Sequence, residues 1–136
     1  MILVTGGTGL VGAHLLFALI DNNEEVRAIH REKSDLNAVK RVFSYYTSEV
    51  ERLFNKIDWQ LADITDISSL ESVFKNIDYV YHCAAYISFN PRHFKTLKKV
   101  NIEGTANVVN YCVSEKVTKL CYISSVASLG KTENES

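Results

Sequence analysis

The sequence predicts an α/β fold, a doubly wound parallel sheet with strand order 3-2-1-4-5. Three observations carry that expectation. Short apolar runs alternate with helical stretches along the chain, as successive βαβ units do. Four of the six glycines fall within the first twelve residues, where the first apolar run ends. The 136 residues, 46% hydrophobic and 23% charged, supply one core and are too few for two. A single domain over residues 1–136 is expected, and right-handed crossovers select the doubly wound order.

Each element follows from local pattern. Ile2-Leu3-Val4 reads as a buried parallel strand running into the glycine cluster. From Leu10 to Ile20 the pattern is helical and apolar on most faces, which suits a helix packed on a sheet. Asn22-Asn23 ends it, and the stretch Glu25 to Ile29 is the second strand. The polar segment from Ser34 to Lys56 predicts helix in pieces. Ile57 to Leu61 alternates as a third strand and runs into Ala62-Asp63-Ile64. Ser68-Ser69-Leu70-Glu71 has the form of a capping box, which predicts a helix from Ser68 to about Asn76. Tyr79 to Cys83 is the fourth strand, and Pro91 marks a helix start. Leu97, Asn101, Thr105, Val108 and Cys112 share one helical face, with Asn101 its polar exception. Leu120 to Ile123 is the fifth strand. The tail from Gly130 to Ser136 is polar and uncommitted.

Composition narrows the function classes. The net charge of −1 shows no basic excess, so neither nucleic acid nor a membrane is an expected partner. No apolar run approaches the roughly 20 residues of a membrane span, and with strand-like sequence from Ile2 and no basic stretch before an apolar one, no signal peptide is expected. Cys83, Cys112 and Cys121 lack metal-ligand or paired spacing and sit among apolar neighbours. They read as buried thiols of a reducing compartment, so the cytoplasm is the expected location.

Thr5-Gly6-Gly7-Thr8-Gly9-Leu10-Val11-Gly12 places three glycines at i, i+3 and i+6 between a strand and a helix. Gly6 would permit the turn off the strand, and Gly9 would leave room for a pyrophosphate at the backbone. Gly12 would let the helix pack closely, and the free N–H groups of that helix then face phosphate. In such folds the residue ending the second strand reads the adenosine ribose. An acid there favours NAD, but this chain has His30-Arg31. Arg31 can pair with a 2′-phosphate, with Lys33 and Ser34 nearby, or simply be a solvated arginine. NADP(H) is the expected cofactor and NAD the alternative.

Taken together, these motifs resemble the extended short-chain dehydrogenase/reductase superfamily, in its epimerase/dehydratase and dihydroflavonol-reductase-like branch. The likeness covers nearly the whole chain in order, and implies a Rossmann fold binding NAD(P). It implies cofactor contacts from Gly6, Thr8, Gly9, Leu10, Val11 and Gly12, and a phosphate-binding role for Arg31. Asp63-Ile64 is similar to the family's adenine-binding pair, although Asp63 also reads as a turn or capping acid. His82-Cys83-Ala84-Ala85 resembles the segment whose small residues let the cofactor lie against the backbone. Asn101-Ile102-Glu103-Gly104-Thr105 is similar to the family's Asn-x-x-Gly-Thr helix. Asn101 either steadies backbone or touches bound ligand. Ser124-Ser125 looks like the segment that supplies the catalytic serine, with Ser125 in that role and Ser124 beside the cofactor.

The family's chemistry also needs Tyr-x-x-x-Lys, and none of the seven tyrosines has lysine four places on. The chain is therefore expected to be the N-terminal part of a larger oxidoreductase, cut after strand five and inactive alone. The parent would move hydride between NADP(H) and a carbonyl or alcohol carbon of a small-molecule substrate. A homodimer pairing through helices, including the one near Asn101, is compatible with the family. The competing functions are an NAD-dependent nucleotide-sugar epimerase or dehydratase, and a non-catalytic dinucleotide sensor or scaffold.

Overall fold

The computed structural model describes residues 1–130. Strands β1 (Ile2–Thr5), β2 (Val26–His30), β3 (Asp58–Leu61), β4 (Tyr79–His82) and β5 (Lys119–Tyr122) form one sheet. The order is β3-β2-β1-β4-β5, as the sequence predicts, and every neighbouring pair is parallel. Val4 sits in register with Ala28 on one side and Tyr81 on the other.

Alternation along β1 assigns the two layers. Ile2 and Val4 face a core shared with Leu16 and Ile20 of α1 (Leu10–Asp21) and Phe43 of α2 (Leu36–Ser44). Leu53 and Phe54 of α3 (Val50–Phe54) close that layer. Leu3 points the other way, into a core with Leu70 of α4 (Ile67–Leu70), Phe74, and Val108 of α6 (Thr105–Ser114). A strand buried on both faces must read as a continuous apolar run, which is why Ile2-Leu3-Val4 was legible.

Between β4 and α6 the chain makes a 3₁₀ turn, Pro91–His93, and helix α5 (Phe94–Lys98). A π-helical turn, Lys99–Gly104, joins α5 to α6. Asn90 caps this stretch by accepting from the Arg92 N–H at 3.0 Å, with Pro91 in the first turn where its missing N–H costs nothing.

Three local expectations are corrected. The helix predicted from Ser68 to Asn76 starts at Ile67 and ends at Leu70, and Asp66 rather than Ser68 caps it. Asp66 accepts from both the N–H and the hydroxyl of Ser68, so Ser68 is a donor to the cap. Cys121 is exposed, whereas Cys112 is buried and Cys83 half-buried. Cys121 lies on β5, which among the described residues pairs with β4 alone. The helical face through Leu97 and Cys112 is interrupted by the π turn at Asn101. Among the described residues no helix is long and apolar enough to cross a membrane. The polar tail beyond Gly130 lies outside the described residues.

Candidate dinucleotide site

At the carboxyl ends of the strands, where the order reverses between β1 and β4, lies a cleft of about 230 Å³. This is where doubly wound sheets bind ligands, because the loops there diverge to opposite faces. Strands β1 to β4 each contribute one loop to its wall.

The first wall is the glycine turn after β1, which brings Gly6, Thr8 and Gly9 to the cleft. Gly6 has φ +69°, in the left-handed region. A Cβ at Gly6 would also lie 2.5 Å from the Ala84 nitrogen, so the turn can sit this close to β4 only as glycine. Gly12 is equally constrained, because a Cβ there would run into the Gly6 backbone. Gly9 caps α1, and the helical ladder begins with the Ala13 N–H donating to the Gly9 carbonyl at 2.9 Å. No side chain caps this end and no acid occupies the first turn. The N–H groups of Leu10, Val11 and Gly12 are therefore the free donors a helix presents to an anion. The Leu10 and Val11 side chains are exposed and do not line the cleft.

The second wall is the end of β2, with Ile29, His30, Arg31 and Ser34. The Arg31 N–H donates to Ser34 Oγ at 2.9 Å, which folds the loop back toward the cleft. Among the described residues the Arg31 guanidinium takes part in no ion pair, whereas Arg27, Arg41 and Arg52 each hold an aspartate or glutamate.

The third wall, after β3, is Ala62-Asp63-Ile64. Asp63 Oδ1 accepts from the Thr65 N–H and hydroxyl, both at 2.8 Å. The turn role foreseen for Asp63 is thus real, and it occupies one carboxylate oxygen. Ile64 is buried against Gly104, where a Cβ would lie 2.7 Å from Ile64 Cδ1.

The fourth wall is Cys83, Ala84, Ala85 and Tyr86, with Val100 of the π turn beside it. Asn101 holds this loop from below. It accepts the Tyr86 N–H at 2.8 Å and donates to the Tyr86 carbonyl at 2.9 Å. Both ends of its amide are spent on backbone, so Asn101 positions the wall and does not line it. One helical stretch thereby serves several loops: Asn101 takes Tyr86, Gly104 admits Ile64, and Asn107 donates to the Ile64 carbonyl at 2.8 Å.

Behind this wall, His82 is only 1% exposed and bridges Thr5 Oγ1 at 2.6 Å and Thr105 Oγ1 at 2.9 Å. Burial pushes its pKa down from 6.5 to about 4, so the ring is neutral at pH 7 and ties β1 to β4 and α6. Burial, with the nearby Cys121 thiol, pushes Cys83 up to about 11, so this thiol is a wall rather than a nucleophile.

Ser124 and Ser125 lie apart from the cleft wall. Ser125 Oγ accepts from the Ala127 N–H at 3.2 Å and caps the 3₁₀ turn Val126–Leu129, while Ser124 Oγ lies 3.3 Å from Ser128 Oγ. Both are exposed. Ile29, Ala62 and Val100 line the cleft without having been foreseen, since an apolar residue flanking a motif carries no signal of its own. No cluster of three metal-ligating side chains occurs among the described residues.

Sheet order, glycine turn and uncapped helix define a Rossmann-type nucleotide-binding domain. The family comparison is equally direct: the NAD dependent epimerase/dehydratase family model matches residues 2–136, and the chain belongs to that family. "Sterol demethylase protein B" of Methylococcus capsulatus is 30% identical over 128 residues, covering 94% of this chain and 35% of the relative. A "putative dihydroflavonol 4-reductase" of Synechocystis is 29% identical over 127 residues, covering 93% of this chain and 33% of the relative. The chain thus spans about one third of the length of these relatives. Among solved structures, UDP-glucose-4-epimerase from Stenotrophomonas maltophila, with bound NAD and formylated UDP-arabinopyranose, superposes with a TM-score of 0.77. It is 25% identical, and the match covers 98% of this chain and 39% of that one.

Proposed function

We propose that this chain is the NADP(H)-binding portion of an oxidoreductase that moves hydride between the nicotinamide and a carbonyl or alcohol carbon. The observation that carries the reading is Arg31, in the cleft wall at the end of β2, without an ion pair among the described residues and with Ser34 beside it. A guanidinium so placed suits a dianionic 2′-phosphate, which it can grip by a charge-assisted fork. The pyrophosphate would lie on the free N–H groups of α1, with Gly9 below it. Asp63 Oδ2 would accept from the adenine amino group, and Ile64 would flank the ring.

The nicotinamide, when bound, supplies the hydride or accepts it. Ser125 would orient the substrate oxygen, in keeping with the family resemblance. The similarity to a protein named as a dihydroflavonol reductase supports the reductase reading. A second reading, an NAD-dependent epimerase or dehydratase of nucleotide sugars, is favoured by the likeness to the NAD-bound UDP-glucose-4-epimerase.

Arg31→Asp separates the two. An aspartate there repels a 2′-phosphate and accepts from ribose hydroxyls. We expect NADPH affinity to fall about 10- to 100-fold, from the loss of a hydrogen bond between charged groups. NADH affinity should hold or rise. Equal effects on both cofactors would remove the phosphate role from Arg31.

A further inference from the structure

Strand β2 ends at His30, so this histidine, rather than Arg31, stands where a ribose-reading acid would end the strand of an NAD site. Alternation puts His30 on the face of Val26 and Ala28, which are buried in the core shared with α1 and α2. Its half-buried ring also lines the cleft. Two contacts fix that ring. It stands edge-on to Trp59 of β3, with centroids 6.0 Å apart and planes at 76°, and Trp59 in turn packs against Phe54. His30 Nδ1 lies 3.1 Å from the Arg31 carbonyl oxygen. A carbonyl can only accept, so Nδ1 carries the hydrogen and donates it. Nε2 is left without a protein partner among the described residues. It offers a lone pair when the ring is neutral and a donor when the ring is charged.

Few other charges face this nitrogen. On its own loop Arg31 lines the same wall, whereas Glu32 and Lys33 line no part of the cleft and Asp35 is held by Arg41. After β3, Asp63 has one oxygen committed to Thr65. The wall after β4 adds the Cys83 thiol, uncharged at neutral pH, and the Tyr86 hydroxyl. The glycine turn brings no titratable group to the cleft. His14 of α1 lies outside it, bound to the Tyr46 hydroxyl at 2.6 Å. A group at the ribose 2′ position would therefore meet one fixed cation, Arg31, and a histidine, the residue type whose charge can change near neutral pH.

We propose that His30 is a second reader of the ribose 2′ position, and makes the choice between phosphorylated and unphosphorylated dinucleotide depend on pH. The inference rests on the dinucleotide reading of the cleft, with Arg31 at the 2′ position. A 2′-hydroxyl both donates and accepts, so Nε2 serves it in either state of the ring. A 2′-phosphate dianion only accepts. Against it the neutral ring sets lone pair to lone pair, while the charged ring adds a second charge-assisted bond beside Arg31. Binding of the phosphorylated cofactor therefore draws a proton onto His30, and its affinity declines as pH rises. Binding of the unphosphorylated cofactor moves no proton. An acid at this position would instead favour the hydroxyl throughout.

The test is calorimetric titration of the whole 136-residue chain with NADP+ and, separately, NAD+. Titrations at about pH 6.5 and about pH 8.5 span a range in which the 2′-phosphate is mostly dianionic. We expect the preference for NADP+ to fall about tenfold across it, from the loss of a charge-assisted hydrogen bond, while NAD+ affinity stays level. Near neutral pH, buffers of unequal ionisation enthalpy should show net proton uptake with NADP+ and none with NAD+. His30→Gln, whose amide donates at every pH, should keep a preference for NADP+ but lose the pH slope and the uptake. His14→Gln, outside the cleft, should retain both. Thermal unfolding shows whether each variant keeps the fold, and His30→Asn serves the same comparison if the glutamine variant does not. A preference for NADP+ that is level with pH, without proton uptake, overturns the proposal and leaves the role of Arg31 standing. So does a slope that survives in His30→Gln or vanishes equally in His14→Gln. No preference for NADP+ at either pH, or no binding of either cofactor, overturns the proposal together with the reading on which it rests.

Discussion

The two ends of the candidate site are built differently. At the end proposed for adenosine, each loop leaves a strand paired on both sides or is tied down by internal hydrogen bonds. β1 is buried at every residue, Asp63 and Ser34 close their own turns, and Asn101 locks Tyr86. At the other end, Ser124 and Ser125 follow β5, whose residues are mostly exposed and which pairs with β4 alone among the described residues. The proposed cofactor wall is therefore local, assembled from loops that each lie next to their own strand. The serine end, by contrast, rests on a single strand pairing and a short 3₁₀ turn.

If that contrast is right, the largest losses should come from the glycine turn. Gly6→Ala adds a Cβ against the Ala84 and Cys83 backbone and forces a left-handed φ on a residue that resists it. We predict roughly 4 kcal/mol of destabilisation in urea unfolding, together with loss of nucleotide binding. Wild-type stability for this variant would show that the turn can open without cost.

The buried His82 bridge gives the next effect, and pH reads it. The folded-state pKa lies near 4 and the unfolded value near 6.5, so between these the unfolded chain binds a proton that the folded chain refuses. Stability is full above about pH 6.5 and should fall by roughly 3 kcal/mol as pH drops to about 4. Asp58, held below the usual carboxylate range by Arg27, contributes its loss at lower pH. Urea midpoints at stepped pH should show the slope in wild type, and His82→Gln should flatten it in that window. An unchanged slope would place the titration elsewhere.

Asn101→Ala removes both bonds to the Tyr86 backbone and should cost about 1–2 kcal/mol. Nucleotide affinity should drop with it, because the wall loses its support. Asn101→Asp, which keeps the acceptor and loses the donor, should fall between wild type and alanine. The smallest effect belongs to the open end: Ser125→Ala should change stability by under about 0.5 kcal/mol and leave nucleotide affinity alone. A large loss there would mean that the serine end is as well braced as the adenosine end.

The sequence revealed what repeats a strong local rule. Ile2-Leu3-Val4 followed by glycines has few other structural meanings, and the sheet order came from connection rules alone. The cap of α4 was misplaced because Asp66 and Ser68 both suit that position. Asp66 prevails by accepting from the Ser68 N–H and hydroxyl, while Ser69 Oγ bonds the Asp63 and Asp66 carbonyls. Apolar neighbours suggested a buried Cys121, but a continuous apolar run is buried only where both sheet faces are covered, and β5 is mostly exposed. The π turn at Lys99–Gly104 has no pattern of its own. It lies where Asn101 and Gly104 meet different loops, a tertiary demand that periodicity cannot show.

The most direct test of a complete adenosine end uses half of the ligand. Calorimetric titration of this chain with adenosine 2′,5′-bisphosphate and, separately, 5′-AMP removes the nicotinamide and leaves the serine end out of play. The account predicts saturable binding of both, with the 2′-phosphate adding on the order of tenfold through Arg31. Equal affinity for the two would contradict the role of Arg31, and no binding of either would contradict a complete adenosine end.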